Sequence, residues 1–185
     1  MTDLSGGFTD PPVQAATAFR GILNVMARPG EIAEVAGHHG PAPLSDAAAA
    51  VLLTLVDRTT KLHLAASHDN ADMRQWLAFH CGAPLVDAGE AEFALGDWAS
   101  LMPLDRFAIG TPEYPDRAAT LIVDGHDFDA APATLRGPGI KDTADLALPE
   151  REAFVANHAR FPLGWDAIFC GGTRIAALPR STEIS

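Results

Sequence analysis

An α/β fold is predicted, a three-layer α/β/α sandwich about a mixed sheet, formed by a single domain over residues 1–185. Three observations predict it. Segments of helical period alternate with short apolar runs of strand length, no internal repeat appears, and no low-complexity linker divides the chain. With 185 residues, 48% hydrophobic and 20% charged, the chain has enough apolar side chain for one sizeable core. Residues 1–10 and 181–185 are expected to form poorly ordered tails.

Asp10 caps a first helix whose opening turn takes Pro11 and Pro12, and Ala16, Phe19, Leu23 and Met26 recur every three or four residues as its apolar face. It stops by Arg28, because Pro29 disfavours helical geometry in the residue before it and Gly30 turns the chain. A short extended piece, Glu31–Ala36, leads into the Gly- and Pro-rich loop Gly37–Pro43. Ser45 caps a second helix, Asp46 to about Asp57, that is apolar on nearly every face, which implies burial against a sheet and on more than one side.

Lys61–Ala65 alternates at period two as a strand, and Asp69 caps a third helix carrying Met73, Trp76, Leu77 and His80, ended by Gly82. From Leu85 to Tyr114 the signals weaken, with apolar residues interrupted by Gly96, Pro103, Gly110 and Pro112. Ala119–Val123 reads as a strand closed by Asp124-Gly125, and Ala133–Arg136 as a strand running into Gly137-Pro138-Gly139. Pro149 opens a helix to about Arg160, with Glu150 and Glu152 where the macrodipole favours acids. Ala167–Cys170 and Arg174–Leu178 form a hairpin in which Gly171 and Gly172 supply the positive φ of a tight turn.

Thirteen basic against twenty-four acidic residues give a formal charge of -11, which repels duplex nucleic acid and anionic membrane. The longest apolar stretch, Ala47–Val56, falls well short of the roughly 20 residues of a membrane span. The N-terminus carries no basic segment followed by an apolar run, and Cys81 and Cys170 form no CxxC pair, so a cytoplasmic protein is expected.

The chemically densest stretch is Leu135-Arg136-Gly137-Pro138-Gly139-Ile140-Lys141, which holds one of only two lysines. Arg136 with the amides of Gly139, Ile140 and Lys141 forms a candidate anion nest, beside the simpler reading of a tight turn at a strand end. A phosphate-binding P-loop is excluded by the glycine spacing and by Asp142 after Lys141, and the dinucleotide fingerprint by Asp142 at its third glycine position. Lys61 and Lys141 are the only lysines for a pyridoxal phosphate aldimine, and neither sits in a cofactor signature. His38-His39 lacks a third ligand at metal spacing. Asp124, Asp127 and Asp129 fail as a calcium loop, since Pro132 and Pro138 fall where its glycine and bidentate acid belong. Ser45, Ser67, Ser100, Cys81 and Cys170 are candidate nucleophiles without a nucleophile elbow or an activated-cysteine context, and no triad is nominated.

Four segments keep their order over residues 19–182: Phe19-Arg20 leading to Met26-Ala27-Arg28-Pro29-Gly30, Leu52-Leu53-Thr54-Leu55-Val56-Asp57, Gly137-Pro138-Gly139-Ile140, and Phe161-Pro162-Leu163-Gly164-Trp165-Asp166 running to Ala177-Leu178-Pro179-Arg180-Ser181-Thr182. Together they resemble the PhnH family, the H subunits of the bacterial carbon-phosphorus lyase system. The resemblance implies phosphonate catabolism and a subunit that supports formation of ribose 1-phosphonate triphosphate from ATP and a phosphonate. It implies G, I and J subunits as partners, a homodimer in isolation, and a fold similar to pyridoxal-phosphate-dependent transferases without their cofactor site. No cofactor, metal or catalytic residue is carried over. A supporting, non-catalytic subunit is the leading expectation, and an independent enzyme binding a nucleotide or phosphonate at the Gly137–Gly139 loop is the alternative.

Overall fold

Four parallel strands set the frame, and their near-continuous apolar sequences follow from burial on both faces. In the computed structural model, which describes residues 5–35 and 39–185, the chain runs α1 (Pro11–Ala27), β1 (Ala33–Glu34), α2 (Asp46–Leu55), β2 (Leu62–Leu64), α3 (Ala71–His80), β3 (Phe93–Gly96), α4 (Trp98–Leu101) and β4 (Thr120–Val123). It continues with β5 (Pro132–Arg136), β6 (Ala144–Ala147), α5 (Arg151–His158), β7 (Asp166–Gly171), β8 (Arg174–Leu178) and β9 (Glu183–Ile184). The six-stranded sheet has the order β1-β8-β7-β4-β3-β2. Within it β2, β3, β4 and β7 are parallel, while β8 is antiparallel to β7 and β1 to β8. The fold is therefore α/β with a mixed sheet.

Alternation along the strands sends successive side chains to opposite faces. Leu95, Ile122, Ile168, Cys170, Ile175 and Ala177 join the buried residues of α1, α2 and α3. Leu121, Val123, Ala167, Phe169, Ala176 and Leu178 join Leu101 of α4, Phe154 of α5, and Leu135, Leu146 and Ile184 of a second, three-stranded antiparallel sheet of order β6-β5-β9. The all-apolar helix α2 lies between α1 and β7, and its residues Ala47–Leu52 are all buried, as its sequence requires. Ser45 caps it, its hydroxyl accepting from the Ala48 N–H at 3.1 Å.

Several expectations need correction. The buried face of α1 is Ala18, Ile22 and Val25, whereas Ala16, Phe19 and Leu23 are exposed and Met26 is half-buried. This helix carries two apolar stripes, and periodicity alone does not say which one meets the core. Asn70, not Asp69, caps α3, accepting from Met73 N–H at 2.9 Å, while Asp69 pairs with Arg74. Of the hairpin glycines only Gly172 has positive φ (60°). Gly171 ends β7 where an added Cβ would lie 2.3 Å from the His126 carbonyl oxygen. The C-terminal residues expected as a tail supply β9, antiparallel to β5, with Ile184 buried. The β6 strand after the Gly-Pro-Gly turn and β3 in the weak region escape sequence reading because both are four residues long, β3 ending on Gly96 before Asp97 and β6 following Asp142-Thr143 and carrying Asp145. The extended piece before the first loop is β1, and residues 36–38, including His38, lie outside the described residues.

Candidate functional site

In open α/β sheets chemistry gathers beyond the carboxyl ends of parallel strands. Here Ser67 and His68 follow β2, Asp97 and Trp98 follow β3, Asp124, Gly125 and His126 follow β4, and the N-cap Ser45 of α2 faces the same end. All of them but Trp98 and His126 join one hydrogen-bonded set. Asp124 Oδ1 accepts from the Ser45 hydroxyl (2.5 Å) and Gly125 N–H (2.8 Å), while Oδ2 accepts from Ser45 N–H (2.9 Å) and lies 3.0 Å from His68 Nε2. Ser67 Oγ lies 2.8 Å from His68 Nδ1 and 2.7 Å from Ser100 Oγ, and accepts from Asp97 N–H at 3.0 Å.

The structure thus brings together all three serines considered as nucleophiles, through His68, which sequence reading did not single out, and Asp124, which it weighed only as a turn residue and a calcium ligand. The rule for strand ends would have selected positions 67–68, 97–98 and 124–126, but it applies only once the strands are known to be parallel. A hydroxyl offers one proton and two lone pairs. Ser67 meets three partners and Asp124 four, so the set is saturated internally and acts as a polar clamp across three strand ends and the start of α2. A carboxylate at that helix N-terminus also meets the favourable end of the macrodipole.

Beside the clamp lies a cleft of about 230 Å³ lined by Asp97, Trp98, Asp124, Gly125 and His126, among others. Its side chains are held from beneath. Trp98 stacks on Phe154 (5.2 Å between ring centroids) and donates from Nε1 to Glu150 (3.1 Å). The Asp97 carboxyl is held below the usual carboxylate range, first by its hydrogen bonds to Ser100, and caps α4. His126 is packed against Phe128 and Phe169, and burial pulls its pKa below the ordinary histidine value. Cys170 is fully buried under Asp124, and burial first, then that carboxylate, raises its thiol pKa. Cys81 is pushed up to about 12 by burial.

The Gly-Pro-Gly loop lies elsewhere, joining β5 to β6. Arg136 ends β5 opposite Glu183, and both Arg136 and Lys141 are exposed and form no ion pair among the described residues. The Ile140 N–H, expected as a nest donor, closes the turn on Gly137 O at 3.1 Å instead. Gly139 has φ +83°, and an added Cβ would fall 1.9 Å from the Ala27 carbonyl oxygen. Gly137 has φ +127°, and an added Cβ there would lie 3.2 Å from the Ser181 carbonyl oxygen and 3.7 Å from Thr182 Cα, close but without the collision found at Gly139. Lys61 is exposed, with its backbone N–H on Glu92 (2.8 Å), and His39 pairs with Asp46 at 2.8 Å. No group of three metal-ligating side chains is arranged to hold an ion among the described residues.

Three of the four segments quoted from the sequence therefore meet at one place: the exit of α1, the Gly-Pro-Gly turn and the Ser181-Thr182 end. The profile of the bacterial phosphonate metabolism protein (PhnH) family matches residues 6–185. The chain belongs to the PhnH family. It is 38% identical to the alpha-D-ribose 1-methylphosphonate 5-triphosphate synthase subunit PhnH of Rhizobium meliloti (strain 1021), over 97% of this chain and 94% of that protein. It is 30% identical to the putative C-P lyase subunit protein HtxG of Stutzerimonas stutzeri, over 91% of this chain and 85% of that one. In this PhnH-family chain the fourth segment is tied to its own end. Asp166 accepts from Arg180 N–H, Nε and Nη2 at 2.8, 3.1 and 2.7 Å, and Arg180 Nη1 donates to Pro115 O at 2.7 Å. No described helix is long and apolar enough to cross a membrane.

Proposed function

We propose that this chain is a supporting subunit of the carbon-phosphorus lyase core complex, working with G, I and J subunits in the formation of ribose 1-phosphonate triphosphate from ATP and a phosphonate. The observation that carries this reading is the near full-length likeness to a relative named as a subunit of the synthase for alpha-D-ribose 1-methylphosphonate 5-triphosphate. The internal saturation of the Ser45, Ser67, His68 and Asp124 set supports a structural rather than nucleophilic role for it. The same reading takes the protein as cytoplasmic, as a homodimer in isolation, and as a single domain without a cofactor. It takes the helices packed on the two faces of the mixed sheet as a three-layer arrangement similar to the pyridoxal-phosphate-dependent transferases.

Affinity purification of the tagged chain from cells grown on a phosphonate as phosphorus source tests the assembly. Recovery of G, I and J subunits is expected, and their absence overturns it. Reconstitution with and without the chain, reading ribose-phosphonate formation, then fixes its contribution to turnover.

A second reading rests on the exposed cations at the Gly-Pro-Gly turn. In it Arg136 and Lys141, with the amides of Gly139 and Lys141, bind an anionic nucleotide or phosphonate, and Ile140 serves only the turn. Calorimetry with ATP and with methylphosphonate would then show binding that Arg136→Ala with Lys141→Ala abolishes. No heat and no thermal shift with either ligand ends this reading.

A further inference from the structure

The cleft beside the clamp opens between the loops that follow β3 and β4, at the end of the parallel strands where α/β sheets take their ligands. At about 230 Å³ it falls below the roughly 300–1,000 Å³ of sites for drug-sized molecules, so it suits a compact group. Trp98, Leu148 and Pro149 give it apolar walls, and Asp97, Asp124 and Asp127 bring carboxyl groups to it. Among the described residues no lysine or arginine lines it.

The three acids differ in what they can still do. Asp124 is saturated within the clamp and contributes only its field. Asp97 caps α4 through Ser100 N–H (2.8 Å), Asp127 accepts from Asp129 N–H (2.9 Å), each through Oδ1, and both residues are exposed. Arg174 does not neutralise them, since both its Nη atoms are held by Asp129 at 3.1 Å and it lines the neighbouring depression instead. His126 lines the cleft as well, and burial keeps its ring neutral near pH 7.5, so it adds no competing charge. Trp98 is half-buried and fixed in place: Phe154 stacks on one face at 5.2 Å, and Glu150 accepts its Nε1–H at 3.1 Å. An indole is the best of the aromatic rings at attracting a cation, and a carboxylate on its N–H leaves its π surface richer in electrons. A ring immobilised beforehand loses no freedom when a ligand arrives.

We propose that this cleft binds a small organic cation of the methylated ammonium class, seated against Trp98 and between the Asp97 and Asp127 carboxylates. The apolar walls select methyl groups. A divalent metal ion would need a shell of oxygen ligands, and a bare ammonium would need acceptors for three N–H groups, neither of which Leu148 and Pro149 supply. The preference is opposite in sign to that of the cations at the Gly-Pro-Gly turn. The proposal goes beyond the subunit reading above and stands or falls apart from it.

A chain of formal charge -11 attracts every cation to some degree, so the test separates the site from the general field. Tetramethylammonium and choline are the probes, titrated at constant ionic strength made up with sodium. Trp76 and Trp165 are buried, so a saturable change in indole fluorescence reports chiefly on Trp98, and calorimetry gives the affinity independently. Both probes are expected to bind, and the neutral tert-butyl analogue of choline, with carbon in place of nitrogen, is not. Trp98→Leu should weaken binding roughly five-fold or more. Asp127→Asn should weaken it about two- to five-fold. Glu113→Gln, which removes an exposed charge outside the cleft, should leave it unchanged. Trp98 packs on Phe154, so its variant is read beside its melting temperature, and the exposed Asp127→Asn carries the test if that variant unfolds. Absence of saturable binding by either probe, equal binding of the neutral analogue, or equal effects of Asp127→Asn and Glu113→Gln overturns the proposal.

Discussion

His68 Nε2 stands 3.0 Å from the Asp124 carboxylate, with both residues sealed from solvent at 3% and 2% exposure. The pair joins the loops after β2 and β4, and Asp124 extends it to the first turn of α2 through Ser45. Secondary structure provides no other link between these loops, since β3 separates their strands.

Asp124→Ala removes the acceptor for Ser45, His68 and Gly125 at once; water can reach the exposed Gly125, but the buried His68 ring and the half-buried Ser45 lose their partner. A loss of about 3–5 kcal/mol in denaturant unfolding is expected. Asp124→Asn should cost less, because one oxygen remains as acceptor. A loss under about 1 kcal/mol for the alanine variant would mean that water replaces the carboxylate, and the clamp would not be a stabilising element.

Arg180→Lys tests the closure of the chain's last segment. Arginine reaches both Asp166 oxygens and the Pro115 carbonyl at once from a mostly buried position, and a lysine ammonium cannot span that geometry. About 1–2 kcal/mol of stability should be lost. If lysine is neutral, the backbone bond from Arg180 N–H to Asp166 is sufficient to hold the segment.

Legibility of this chain followed local physics. Helix α2, the β7–β8 hairpin and β4 were plain in the sequence because capping, glycine punctuation and apolar runs all pointed the same way. The face of α1 was not, since Phe19 and Leu23 repeat as regularly as Ile22 and Val25. The clamp was invisible for a different reason. Ser45, His68 and Asp124 are separated by 79 and 56 residues in their bonds, and only the parallel order of β2, β3 and β4 brings them together. The Gly-Pro-Gly motif was legible as a turn, whereas its packing on Ala27 was not.

That packing makes Gly139→Ala informative. The backbone there has positive φ, and the added methyl would collide with the Ala27 carbonyl. Gly125 also has positive φ (73°), but nothing lies within 4 Å of an added Cβ. Gly125→Ala should therefore cost only the left-handed strain of about 1–2 kcal/mol, and Gly139→Ala clearly more. Equal losses in thermal or denaturant unfolding would mean that the α1 exit yields freely, removing the contact as the reason for glycine at this turn.

His126 gives stability a pH dependence whose sign follows from its surroundings. Its ring lies between Phe128 (4.7 Å) and Phe169 (4.6 Å), and its buried Nε2 has no hydrogen-bond partner. Burial, the largest influence, favours the neutral ring, and the nearby Arg174 adds to it, against the raising effects of the Ala147 carbonyl and Asp127. The folded pKa therefore lies below the unfolded value of about 6.5. Between the two the unfolded chain binds more protons, so stability rises with pH across that window and is lost as pH falls through about 6.5 toward the folded value. Carboxylates contribute slopes of their own at lower pH, so the measurement is a difference. Urea unfolding of wild type and of His126→Phe, which keeps an aromatic ring between the two phenylalanines, should give parallel curves above about pH 7.5 and a steeper decline for wild type from there to about pH 5. Parallel curves throughout would mean that the imidazole takes up its proton as readily in the folded chain as in the unfolded one.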